Sequence, residues 1–332
     1  MTGSPATAAA PTGWWDRVPP AAGSIVMATG IVSVGLHLVG RDLLSELLLW
    51  LAAAVWLLLA AAFALTFARD RPHWTVSAGT PPALTAVAAT TVLGTRLSLA
   101  GWQTAAEALL ALAAVAWPGL LVAVLEHWKR RMPGAAFLVC VATQGLAVLA
   151  GTLALAHQGD WLVWAALATF LPGLVLYLAA LLRFDLHQVE EGHGDHWIAA
   201  GALAISALAG SKLTAWPHWT GAGHTALRWT TLVLLGLDLA WYLVLLAEEV
   251  RRPRLAYDIR RWASVFPLGM TAVATLSTGT AAHVSWLRPL GHVLLWIAVG
   301  AWLLTAGALG YATARSRRQQ PDPVDGPAGQ RS

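Results

Sequence analysis

The stretch WLVWAALATFLPGLVLYLAALL, residues 161–182, contains no charged residue and no side-chain amide. As a helix rising 1.5 Å per residue it covers the roughly 30 Å of a bilayer's hydrocarbon core. The rest of the chain repeats its character. Of the 332 residues, 57% are hydrophobic and only 11% are charged, with a mean hydropathy of +0.61. A soluble domain carries about 25% charged residues. A water-facing exterior cannot be built from this composition, so lipid must cover much of the surface, and the backbone must satisfy itself within helices.

Working outward from 161–182, similar segments occur near 20–39, 46–68, 77–95, 104–126, 134–156, 196–214, 228–248, 262–281 and 287–311. The chain therefore reads as an all-α polytopic membrane protein of ten spans. Thr, Ser, Gly and Pro dilute the third, seventh and ninth. Charged turns such as Arg69-Asp70-Arg71-Pro72 and Lys129-Arg130-Arg131-Met132-Pro133 separate the spans. With ten spans both termini share one side, and that side holds 16 of the 21 Lys and Arg. The positive-inside rule makes it the cytoplasmic face of the plasma membrane. Residues 1–18 form a short cytoplasmic tail, 19–314 the membrane domain, and 315–332 a Pro- and Gly-rich tail expected to be disordered. Residues 1–18 set only Arg17 against Asp16 and lack a signal peptide's basic region, so the first span reads as an anchor.

Several function classes fall away. The pI near 9.7 and net charge of +4 come from short basic clusters between apolar runs, a loop pattern rather than a nucleic-acid surface. Cys140 is the single cysteine and reads as a small core residue. His187, His193 and His196 form a weak metal pattern that reads more simply as loop histidines. There is no HExxH and no phosphate loop, and no cofactor is implied. A membrane-embedded enzyme without a recognisable motif is the second functional class; it needs a polar cluster on one membrane face.

Two kinds of span alternate. The five even spans hold 37 Leu and nine Trp, against 14 and two in the odd ones; Ser plus Thr total 20 in the odd spans and six in the even. Leu suits lipid, Trp anchors at interfaces, and small hydroxyl residues allow close helix approach or line a path. The pattern predicts five helical hairpins, odd helices inside and even helices outside, around a central pore. Dry packing of the odd helices is the plain alternative. Candidate lining residues are Thr29 and Ser33 in span 1, Thr143 and Gln144 in span 5, and Thr271, Thr275 and Thr278 on one face of span 9. No Lys or Arg lies mid-span in an odd helix. Arg96 and Lys212 sit at outer span ends, where they read as interfacial charges or as attractors of anions. Asp238, in the middle of span 8, reads as a structural hydrogen-bonding group or as a proton-coupling one.

Two segments resemble the tellurite-resistance/C4-dicarboxylate transporter family, which includes the slow-type plant anion channels. The first is Ile25-Val26-Met27-Ala28-Thr29-Gly30-Ile31-Val32-Ser33, similar to that family's MGTGI run with Ala28 in place of Gly. The second is Trp262-Ala263-Ser264-Val265-Phe266-Pro267-Leu268-Gly269, similar to the opening of its ninth span. The resemblance implies five hairpins in quasi-fivefold order around a narrow uncharged pore, a homotrimer with one pore per protomer, and transport of small anions. Those anions range from C4-dicarboxylates such as malate to chloride, nitrate, sulfite or tellurite. It also implies a gating phenylalanine at Phe266, with Met27, Gly30 and Pro267 joining the pore-lining set. Ions and membrane lipid are the partners implied, and nucleic acid is not.

Overall fold

The computed structural model describes residues 19–156, 159–191, 194–252 and 258–319. The tail expected at 1–18 lies outside the described residues, as do His193 and the part of the 315–332 tail beyond 319; residues 315–319 of that expected tail are helical instead. Twelve α-helices are present: α1 Gly23–Leu38, α2 Asp42–Arg69, α3 Arg71–Ala78, α4 Thr85–Leu99, α5 Gln103–Glu126, α6 Leu138–Leu155, α7 Trp161–Leu181, α8 His187–Glu191, α9 Ile198–Thr214, α10 Gly221–Arg251, α11 Trp262–Ala281 and α12 Leu287–Gln319. Among the described residues there is no β-strand, only an isolated bridge between Met132 and Phe184.

Among the described residues eight helical segments are long and apolar enough to cross a membrane, and the chain is a multi-pass membrane protein. The segments around α4 and α11 are not among the eight, because Thr, Ser and Pro dilute them. Helix ends differ from the apolar runs in places. α10 starts at Gly221 and α12 continues to Gln319, since leaving the hydrocarbon does not end a helix. The third span begins at Pro81 rather than 77, because residues 71–78 form the separate short helix α3.

Burial divides the long helices into two sets. In Pro20–Leu38, Gly134–Leu155 and Asp195–Thr214, 78–94% of the apolar stretch is buried; in the other five qualifying segments the share is 17–33%. α4 and α11 belong with the buried set: of α11 only Ser264, Ser277, Thr280 and Ala281 escape burial. The exposed set presents large apolar side chains such as Leu57, Val115, Leu178, Leu243 and Leu304, a surface suited to lipid and not to water.

Each helix of the buried set starts from a 3-10 turn: Pro20–Ala22, Pro81–Leu84, Gly134–Phe137, Asp195–Trp197 and Ile259–Arg261. Pro20 and Pro81 suit that first turn, where no N–H is needed and φ is already near the helical value. Each buried helix packs on the exposed helix that follows it: α1 on α2, α4 on α5, α6 on α7, α9 on α10 and α11 on α12. Within the buried set, α1 touches α4 and α11, α6 touches α4 and α9, and α9 touches α11. Gly30 makes one such approach possible, since a Cβ there would lie 2.8 Å from Val92 Cγ1.

Three tryptophans tie the sets together. Trp56 of α2 donates its indole N–H to the Thr90 hydroxyl at 2.9 Å, Trp117 of α5 to Thr143 at 2.9 Å, and Trp302 of α12 to Thr29 at 3.0 Å. Thr90 and Thr143 send their own protons back to the carbonyls of Ala86 and Val139, which leaves the oxygen free to accept. An indole N–H away from water needs such a partner.

Candidate functional site

A small cavity of about 10 Å³ lies where all five buried helices meet. Its walls are Ile31 and Val34 of α1, Thr91, Val92 and Thr95 of α4, Gly145 and Val148 of α6, Ile205 and Leu208 of α9, and Met270 of α11. The spacing within each helix, three or four residues, keeps each pair on one face. The two threonines donate to their own helix, Thr91 to Ala88 O at 2.9 Å and Thr95 to Thr91 O at 2.8 Å. The walls therefore offer no spare hydroxyl proton, and the volume is at the lower limit for one water molecule.

Phe266 is buried, one turn before Met270 on the same face of α11. Gly201 of α9 makes room for it: a Cβ there would lie 2.9 Å from Pro267 Cγ and 3.4 Å from Phe266 Cε1. Pro267 lies inside α11 and removes the bond that its nitrogen would make to the Ala263 carbonyl. Met27, equally buried, stands one turn before Ile31 on α1. Phe266 and Met27 thus lie in the layer just below the cavity.

The hydroxyls singled out from the sequence have other company. Thr29 and Thr143 accept from tryptophans of the exposed helices. Ser33 donates to Ser45 O at 2.6 Å, and Ser45 Oγ donates to Ser33 O at 2.6 Å. Gln144 donates to Phe170 O of α7 at 3.1 Å, beneath Gly173. Thr271 donates to Asp238 Oδ1 at 3.2 Å, and Thr275 donates to Thr271 O at 2.7 Å. Thr278 is buried with no partner for its hydroxyl among the described residues. None of these side chains lines the cavity. The residues that do line it, Thr91 and Thr95 apart, are apolar, and sequence reading passes over them because a dry constriction and an ordinary core use the same side chains. The available signal is their recurrence on one face of four of the five odd spans, with Met270 alone from the fifth.

Asp238 is fully buried on α10; Oδ1 accepts from Thr271, and Oδ2 has no partner. Arg96 lies in the last turn of α4. It is buried and donates from Nε to Ser45 Oγ at 2.9 Å, joining α4 to α2. Among the described residues no group of three or more His, Cys, Asp or Glu is placed to hold a metal.

Above the cavity lies a larger chamber of about 660 Å³. Leu38, Leu155, Ser211 and Ser277 belong to its walls and follow Val34, Val148, Leu208 and Met270 by four, seven, three and seven residues, on the same helix faces. The cavity and the chamber thus share wall faces of α1, α6, α9 and α11, while α4 lines only the cavity.

Comparison with known proteins bears on what this arrangement does. The profile of a family described as SLAC1, voltage-dependent anion channel, matches residues 17–309. Two uncharacterized membrane proteins of Mycobacterium tuberculosis, from strains CDC 1551 and H37Rv, are each 31% identical over 142 residues, covering 40% of this chain and 71% of the relative.

Proposed function

Because the chain belongs to the voltage-dependent anion channel family, we propose that it passes small inorganic anions, of the size of chloride or nitrate, across the plasma membrane along the line where its five buried helices meet. In this reading the buried helices are the inner ring of five hairpins, the exposed helices face lipid, and both termini are cytoplasmic. The protein assembles as a homotrimer with one path in each protomer.

The observation that carries the reading is the continuous row of facing positions from Phe266 and Met27, through the 10 Å³ cavity, to the 660 Å³ chamber. A space with room for at most one water molecule cannot pass an ion with its hydration shell, and an ion without its water does not enter. Phe266 is the proposed plug, and the conformation is the closed one. Proton-coupled uptake of a dicarboxylate is the weaker reading. Asp238 faces α11 through Thr271 and is not a wall of the cavity.

The test is anion flux into liposomes holding the purified protein. Passive chloride or nitrate flux that rises in Phe266→Ala supports the reading. Malate uptake that requires an inward proton gradient, with no inorganic anion flux from either protein, overturns it.

A further inference from the structure

The chamber above the constriction has an unusual balance of charge. Its walls include Lys212 of α9, Arg288 of α12, His224 of α10 and His283 of the loop before α12, with no Asp or Glu among its described walls. No hydrogen bond or ion pair joins the side chain of Lys212 or Arg288 to any described residue.

Helix electrostatics make these cations more telling. Leu38, Leu155, Thr214 and Ala281 are the last residues of α1, α6, α9 and α11, and all four line the chamber. Four helix C-termini therefore converge there, and each brings partial negative charge from its last carbonyls. The first turns of α10 and α12, at His224 and Arg288, line the chamber too and bring partial positive charge, so the helix ends alone leave a mixed field. Arg228 bonds one of those carbonyls, Ala282 O, from Nε and Nη2 at 3.3 and 3.1 Å. Lys212 and Arg288 add positive charge beyond that.

The stem of Lys212 is fixed. It lies against Gly151 of α6, where an added Cβ would come within 2.8 Å of Lys212 Cβ. Close by, Ser277 lines the same space about one turn before the end of α11, and its hydroxyl has no partner among the described residues. An ammonium on a stem packed against α6, an exposed guanidinium and a hydroxyl in a partly enclosed chamber are donors for a small anion.

We propose that this chamber is a binding site for a small inorganic anion, held chiefly by Lys212 and Arg288, which concentrates the ion before the constriction. The proposal extends the transport reading, and it makes a claim of its own about equilibrium binding. Cationic walls around a low-dielectric cleft raise the local anion concentration. The site gives weak, exchangeable binding, since its ligands are few and the chamber is open to solvent.

Two measurements separate the site from the path. The first is chloride binding to the detergent-purified protein, read from 35Cl line broadening and its displacement by nitrate. Wild type is expected to show broadening that nitrate removes; Lys212→Gln with Arg288→Gln loses it, and Lys212→Arg keeps it. The second is flux in the Phe266→Ala background, where the double variant raises the half-saturating chloride concentration roughly tenfold while saturating flux persists. Broadening unchanged in the double variant, with its size-exclusion profile and melting temperature intact, overturns the site whatever the flux does. Broadening lost on substitution, with no flux in any variant, upholds the site and removes the transport reading instead.

Discussion

Phe266 stands one turn below Met270 on the same face of α11, and Met270 is a wall of the cavity where the five buried helices meet. Removing the ring opens space directly under a constriction already lined on every side. Phe266→Ala is expected to raise passive chloride flux in liposomes at least about tenfold, because dewetting barriers fall steeply with radius. Phe266→Leu should give a smaller rise. An alanine variant that is folded and no more permeable than wild type would move the barrier elsewhere along the path.

The hydroxyls of Thr143 and Thr29 face away from the cavity, toward tryptophans of α5 and α12. Their loss is therefore a stability effect. Thr143→Val leaves the Trp117 N–H without its acceptor, at a cost of about 1–3 kcal/mol. The thermal midpoint should fall, while the ratio of nitrate to chloride flux in the Phe266→Ala background stays unchanged. Val34→Ala should do the reverse, since Val34 is a cavity wall. It widens the constriction and raises flux, with a stability loss no larger than the few kcal/mol of an ordinary core truncation. A changed nitrate-to-chloride ratio in Thr143→Val would return that hydroxyl to the path.

These contrasts mark what the sequence makes legible. Composition and the Leu/Trp alternation are properties of whole helices, so the membrane class, and the five segments that are buried, could be read from averages. A hydroxyl's direction is set by a rotation of its helix, which no average carries. Thr29, Ser33 and Thr143 were readable as small polar residues on odd spans, but not as partners of Trp302, Ser45 and Trp117, up to 273 residues away. The cavity walls were hidden for the opposite reason. Ile31, Val34, Ile205 and Leu208 have the chemistry of core, and only their convergence from separate helices distinguishes them. Phe266 stood out only through the resemblance of residues 262–269 to a family's ninth-span opening, a contiguous run that can be matched without knowing the fold.

Asp238 binds Thr271 with one oxygen and has no partner for the other. Asparagine preserves an acceptor at Oδ1 and removes the possibility of charge. If the residue is a link between α10 and α11, Asp238→Asn keeps both the flux and its indifference to an imposed pH gradient. Asp238→Leu leaves the Thr271 hydroxyl without a side-chain acceptor, and lowers the melting temperature more than Asn does. Wild-type flux that follows the proton gradient, and loses that dependence in Asp238→Asn, would make the carboxyl a coupling group.

Gly201 gives the most direct handle on the support behind the plug. A Cβ at that position meets the Pro267 ring at 2.9 Å, closer than side-chain carbons approach, and the ring cannot rotate away. Either α9 and α11 separate or α11 turns. Separation costs packing, and overfilling of this kind destabilises by about 1–3 kcal/mol. A turn of α11 also carries Phe266 sideways from beneath Met270. Gly201→Ala is thus expected to lower the melting temperature and, if α11 turns, to raise chloride flux without touching Phe266 itself. Combining it with Phe266→Ala distinguishes the two responses. If the gain comes from displacing the ring, the double variant conducts no more than Phe266→Ala alone; additive gains mean that the helices have parted along the whole path.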